Sequence, residues 1–96
     1  MAIYFEVLVT YDIEDNKSRK KLFDELKDMG LISIQKSVFW GNLKMAEIKI
    51  LPHLFSKYCA GHDKAFFVKA PLSKEILSNS FGYKEEEFVE RKFIYV

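Results

Sequence analysis

Two groups of residues near the start of this chain have the types and spacing to do chemistry. Asp12 closes the run IYFEVLVTYDI, residues 3–13. Just beyond it, Lys17, Arg19, Lys20 and Lys21 crowd one short stretch. A carboxylate is a hard oxygen ligand, and Mg²⁺ takes such ligands while keeping several waters, so one or two carboxylates suffice. A cation held that way neutralises a phosphate and ionises a water, which phosphodiester hydrolysis demands. A single Asp12 is a thin site, but a two-fold axis would set it opposite or near its own copy. On the residues alone the favoured reading is that Asp12 only caps the turn before the next helix, as Asp commonly does. Glu14 and Asp15 are turn residues with weaker claims.

Phosphate is the partner that fits the basic cluster. A helix start is already positive, so added cations are unfavourable there until a polyanion relieves them. Arg19 is the best single candidate, because guanidinium grips phosphate through two parallel bonds. A solvated lysine-rich face is the bland alternative. The other reactive side chains have less support. His53 and His62 have no cysteine or histidine partner at ligand spacing and read as surface histidines. Ser37 has no His or Lys at a recognisable spacing to activate it. Cys59 stands alone, which excludes an internal disulfide and fits a reducing compartment.

The elements that must position these groups follow from periodicity. Residues 3–13 alternate as a strand. Ile3, Phe5, Val7, Val9 and Tyr11 share a core face, and Tyr4, Glu6, Leu8, Thr10 and Asp12 share the other. Asp15 or Asn16 can N-cap a helix in which Leu22, Phe23, Leu26 and Met29 recur at helical spacing, with Gly30 as its stop. Residues 31–40 read as a second strand whose phase slips at Lys36–Ser37, implying a bulge or a hairpin turning at Gly41–Asn42. Trp40 is expected in the core. Residues 43–59 read as one helix kinked at Pro52; the rival is a strand followed by a shorter helix that Pro52 begins. KAFFVKAP, residues 64–71, is a short strand stopped by Pro71. After it the chain turns polar, and Ser73 could cap a single helical turn.

Ninety-six residues make one domain. It divides into a core over 1–71, a polar connection over 72–91 and a terminal strand over 92–96. The hydrophobic content of 49% is rich for this length, and an apolar surplus on a small domain often ends in a subunit interface. A net charge of +1 neither favours nor excludes nucleic acid. No leader-like start and no apolar run of membrane length appear, so a soluble cytoplasmic protein without a membrane partner is expected. Strand, helix, two strands, helix and strand give an α+β ferredoxin-like sandwich, βαββαβ, with an extra C-terminal strand. Both helices then cover one sheet face and leave the other bare. Glu6 and Leu8 lie there, so a face-to-face homodimer is expected. Phe93, Ile94, Tyr95 and Val96 would join that interface as an edge strand docked on their own sheet or the partner's.

These residues also add up to a known pattern. Tyr11-Asp12-Ile13 with Asp15 and Arg19, then Gln35-Lys36-Ser37-Val38-Phe39-Trp40-Gly41, resemble the small CRISPR-associated nuclease family of the spacer-acquisition machinery. Leu43, Ala46-Glu47-Ile48 and Asp63 continue the similarity over residues 3–70. Ile34 stands where that family often has an arginine, and Trp40 where it usually has a small acidic residue. The resemblance implies a homodimer with Mg²⁺ (or Mn²⁺) between two copies of a catalytic, metal-binding Asp12. It implies metal-dependent cleavage of RNA or DNA in some members. In others it implies a structural role, bridging CRISPR integrase subunits and holding duplex DNA for insertion. The expected function is therefore a homodimeric metal-dependent endonuclease acting on RNA, duplex DNA or both, which also holds DNA for the integrase during spacer acquisition. A non-catalytic DNA-holding dimer is the second reading. A small-ligand or regulatory ferredoxin-like module is the third, disfavoured by the lack of a Gly-rich loop or convergent polar pocket in the sequence.

Overall fold

A computed structural model describes residues 3–88 of the chain. Strand β1, Tyr4–Asp12, is flanked on both sides. Helix α1 (Asn16–Asp28) follows, then β2 (Ile32–Gln35), β3 (Val38–Lys44), α2 (Met45–Ile48), α3 (Leu51–Tyr58) and β4 (Lys64–Lys69). The sheet order is β2-β3-β1-β4, antiparallel throughout, which is the expected ferredoxin-like α+β arrangement. The anticipated terminal strand over 92–96, with Phe93, Ile94, Tyr95 and Val96, lies outside the described residues. Among the described residues no helix is long and apolar enough to cross a membrane.

The alternation in β1 sorts its two faces as its sequence requires. Val7, Val9 and Tyr11 are buried on the helical side, where they meet Leu22 and Leu26 of α1, Phe39 and Leu43 of β3, and Leu51 and Leu54 of α3. Helices α1 and α3 are tied at the surface by a 2.8 Å hydrogen bond from the Tyr58 hydroxyl to Glu25 Oε2. Asp15 is the N-cap of α1, its carboxylate accepting from Ser18 N at 2.8 Å. Gly30 ends that helix in the left-handed region, φ 94°, which costs glycine little.

Several expectations need correction. The hairpin between β2 and β3 turns at Lys36–Ser37, and Gly41–Asn42 runs inside β3. Ser37 takes φ 62° to make that turn; the phase slip in the sequence is this reversal. Gly41 is needed for closeness, because a Cβ there would stand 2.7 Å from Leu31 Cδ2. The region 43–59 is neither of the two readings in full. Leu43 and Lys44 finish β3, and α2 and α3 are separate helices joined at Lys49–Ile50, with Pro52 in the first turn of α3. Proline has no N–H to return to Ile48, so the break falls where that bond would be.

The second sheet face is not bare along its whole length. Trp40 is 3% exposed but stands apart from the main core. It lies opposite Leu8 in the β1–β3 register, hence on the side away from the helices. A short helix α4 (Ser73–Ser78) and a 3-10 turn (Glu85–Phe88) follow β4. The Phe88 ring stands edge-on to Trp40 with centroids 5.2 Å apart, and the Tyr83 hydroxyl donates to Ile34 O at 3.2 Å. Ser73 does not cap α4; Leu72 precedes the helix, and the Ser73 amide donates to Glu6 Oε2. The described part of the polar connection, residues 72–88, is thus a strap over half of this face. Phe66 and Val68 remain exposed on the other half.

Candidate metal and nucleic-acid site

Asp12 is the last residue of β1, exposed, on the sheet face away from the helices. Among the described residues its carboxylate makes no hydrogen bond and no ion pair. Its register partner on β4 is Lys64. The capping role that competes for an aspartate here is filled by Asp15, whose carboxyl is held below its usual range chiefly by the Ser18 amide. Asp12 is therefore left over by the local structure, and left over at the surface.

The loop that follows is clamped from two directions. From α1, the Arg19 guanidinium donates Nη1 to Ile13 O at 2.9 Å and to Glu14 O at 3.4 Å, and Nη2 to Asn16 Oδ1. From the turn before β4, Asp63 Oδ1 accepts from Glu14 N at 3.1 Å while Oδ2 accepts from Ala60 N at 2.7 Å. These two amides, Ala60 first, hold the Asp63 carboxyl below the ordinary carboxylate range. The Asp63 side chain is only 2% exposed. Beside it, His62 Nε2 lies 2.9 Å from Glu14 Oε2. Arg19 and Asp63 together fix the direction in which the chain leaves Asp12.

The basic residues split into two kinds. Arg19 spends guanidinium donors on the loop, to Ile13 O, Glu14 O and Asn16 Oδ1, a structural role the sequence did not anticipate. Lys20 is 3.1 Å from Asp24 on the exposed side of α1. Lys17 and Lys21 are exposed and have no ion-pair partner among the described residues. They are the freest cations of this cluster to meet a polyanion, and the exposed Lys20–Asp24 pair is weak enough to open to one.

Of the residues placed on the opposite face, Leu8 is half-buried and adjoins Val68 in register. Glu6 is engaged within its own chain: Oε2 accepts from Trp40 Nε1 at 2.7 Å and from the Ser73 amide. Among the described residues no three His, Cys, Asp or Glu side chains converge to hold a metal ion.

The profile of the family described as CRISPR associated protein Cas2 matches residues 5–75, from β1 into α4. The chain belongs to the Cas2 family. It is 39% identical over 88 residues to "CRISPR-associated endoribonuclease Cas2 1" of Francisella tularensis subsp. novicida, covering 92% of this chain and 91% of that one. It is 37% identical over 60 residues to a "CRISPR-associated endonuclease Cas1/endonuclease Cas2 fusion" of Thermoproteus tenax, covering 62% of this chain and 23% of the fusion. A solved structure titled "Crystal structure of cas2" superposes with a TM-score of 0.63 at 25% identity, covering 72% of this chain and 77% of that one. The Cas2 match stops at residue 75. Most of the strap over Trp40 lies beyond it.

Two contributors went unassigned as site residues in the sequence. Asp63 carried only a family resemblance, because its partners Glu14 and Ala60 are set by the fold. Lys36 sat within the family pattern without a role of its own, and it borders the groove described below.

Proposed function

We propose that this Cas2-family chain is a CRISPR-associated endoribonuclease that works as a two-fold homodimer with Mg²⁺ (or Mn²⁺) between its two Asp12 residues. The observation that supports it is the state of Asp12: exposed, ending a strand paired on both sides, and without a side-chain partner among the described residues. One protomer offers the cation a single carboxylate, and the second must come from the other copy. When bound, the cation supplies charge neutralisation at the phosphate and an ionised water. This chain's own residues supply the rest. Arg19 and Asp63 hold the loop after Asp12, and Lys17 and Lys21 draw the nucleic-acid backbone to the surface without reading sequence. The open half of the sheet face, with Leu8, Phe66 and Val68, is the dimer surface in this reading.

The experiment is cleavage of single-stranded RNA and duplex DNA with Mg²⁺ and with EDTA, for the intact protein and for Asp12→Asn. RNA cleavage that needs the cation and disappears in Asp12→Asn is the expected result. Cleavage that survives the substitution removes Asp12 from the chemistry.

A second reading, a DNA-holding partner of the CRISPR integrase without cleavage, draws on the relative whose name joins Cas1 and Cas2 in one chain. In that case the protein binds duplex DNA, cleaves nothing, and tolerates Asp12→Asn.

A further inference from the structure

On the helical side of the sheet, turned away from Asp12, the first turns of α1 and the β2–β3 hairpin enclose a groove of about 390 Å³. Tyr11, Asn16, Arg19, Lys20, Phe23, Lys36 and Ser37 line it. Its walls are of two chemistries. Phe23 packs edge-on to the buried Phe39 with centroids 5.1 Å apart, and Tyr11 stacks on the same ring at 6.3 Å, so the two rings that line the groove are both held by Phe39. Around the rim stand three cationic side chains, Arg19, Lys20 and Lys36. Lys36 is exposed and has no ion-pair partner among the described residues. The hairpin is shaped for this position. Ser37 sits at φ 62°, its carbonyl accepts from Tyr11 N at 3.1 Å, and its side chain meets the Tyr11 hydroxyl. A non-glycine residue held at positive φ by its surroundings is found preferentially at functional sites.

A volume in the small-ligand range with apolar walls and a few placed polar groups is the ordinary form of a binding pocket. Cations alone would suit any anion. Rings alone would suit any apolar group. Both on one opening suit a flat ring carrying a phosphate, and base–aromatic stacking beside basic side chains is how proteins hold unpaired nucleotides.

We propose that the groove between α1 and the β2–β3 hairpin receives one unpaired nucleotide, its base against Phe23 and Tyr11 and its phosphate against Lys36 and Lys20. The inference rests on the nucleic-acid reading above and adds to it a second point of contact on the other side of the sheet from Asp12. Consecutive strand residues point to opposite faces, so Tyr11 and Asp12 serve different parts of one strand of substrate. A duplex buries its bases and cannot fill this groove. A single strand can.

The test is an amide NMR titration of the intact chain with adenosine 5′-monophosphate, adenosine and inorganic phosphate in separate arms. The monophosphate should saturate shifts at Phe23, Lys36 and Ser37 and leave Leu8 and Trp40 unmoved. Phe23→Leu should weaken it about tenfold, as loss of a base–aromatic stack does, with phosphate binding unchanged. Lys36→Gln, at an exposed position that cannot unfold the chain, should weaken the monophosphate and leave adenosine as it was. Equal affinity for phosphate and monophosphate would reduce the groove to an anion site and overturn the proposal. So would the absence of saturable shifts at millimolar monophosphate. Asp12→Asn should bind the monophosphate as well as the parent does. An inactive parent that still binds sinks the nuclease reading and keeps this one; an active parent that does not bind does the reverse.

Discussion

Trp40 and Glu6 lie on adjacent strands and are joined by a 2.7 Å hydrogen bond from the indole Nε1 to carboxylate Oε2. The same oxygen accepts from the Ser73 amide, so one carboxylate couples the sheet to the strap that covers it. Removing the indole N–H should loosen both. Trp40→Phe is expected to lower stability by about 1–2 kcal/mol, the cost of a lost bond to a charged acceptor. Denaturant titration measures it, and a wild-type midpoint would show that the indole only fills space.

Asp12 has no side-chain partner among the described residues, so Asp12→Asn should leave the thermal transition of the protein nearly where it was, within about 0.5 kcal/mol. Asp15→Ala is the contrast, since it uncaps α1 and should lower the transition. Calorimetry of both variants distinguishes a carboxylate kept for chemistry from one kept for structure. If the Asn variant falls as the uncapped one does, Asp12 is structural.

Asp63 makes a pH prediction. Its carboxyl is depressed by the Ala60 and Glu14 amides, so the folded state prefers it ionised. The stabilisation is complete above the ordinary aspartate value, about 3.9, and is lost as pH falls through the lower folded value. Asp63→Asn should therefore melt earlier than the parent at neutral pH. The gap should close progressively below about pH 4. A gap that stays constant across that acid range contradicts the assignment.

Lys17 and Arg19 should separate by assay. Lys17→Ala should reduce the salt dependence of nucleic-acid binding by about 0.7 to 0.9 log units per contact with no change in melting. Arg19→Ala should lower melting, because the Ile13 and Glu14 carbonyls lose their donor. Affinity across a salt series, run beside thermal melts, reads both. The opposite pattern returns Arg19 to the role of phosphate grip.

Gly41→Ala should cost about 1–3 kcal/mol, as overpacking in a closed site does. The added methyl meets Leu31 Cδ2 at 2.7 Å and Leu31 Cα at 3.3 Å. The side chain can yield but the backbone cannot. Denaturant unfolding settles the size, and a neutral result would show that Leu31 has room to withdraw.

The alternation in β1 made the sheet, the core and the place of Asp12 legible, because a period of two assigns every residue to a face. The helix starting at Asp15 and ending at Gly30 was legible for the same kind of local reason. Legibility failed wherever the cause was distant in sequence. Trp40 looked like core because its apolarity says nothing about which side it is on. Its partners, Glu6 and Phe88, come from separate parts of the chain, as does Ser73, whose amide binds the same Glu6 carboxylate. Arg19 looked free for phosphate because the carbonyls it holds are exposed by the shape of the β1–α1 turn and carry no side-chain signature. At Pro52 the sequence named the cause of a break but left its position open by one turn.

The order of strands across the sheet also sets an order in time. β1 leaves the ribosome before either of its neighbours, which do not exist until residues 38–44 and then 64–69 have been made. The nascent chain must carry that apolar ribbon unpaired on both edges until β3 is made, and open on one edge until β4 follows. Pairing across such separations is slow, and an unpaired apolar strand is exposed to aggregation while it waits. Helix α1, built entirely from neighbouring residues, can form in that interval and shelter the half of the ribbon that will become core. Asp12, which belongs to the other half, puts a charge on the end of the side left uncovered.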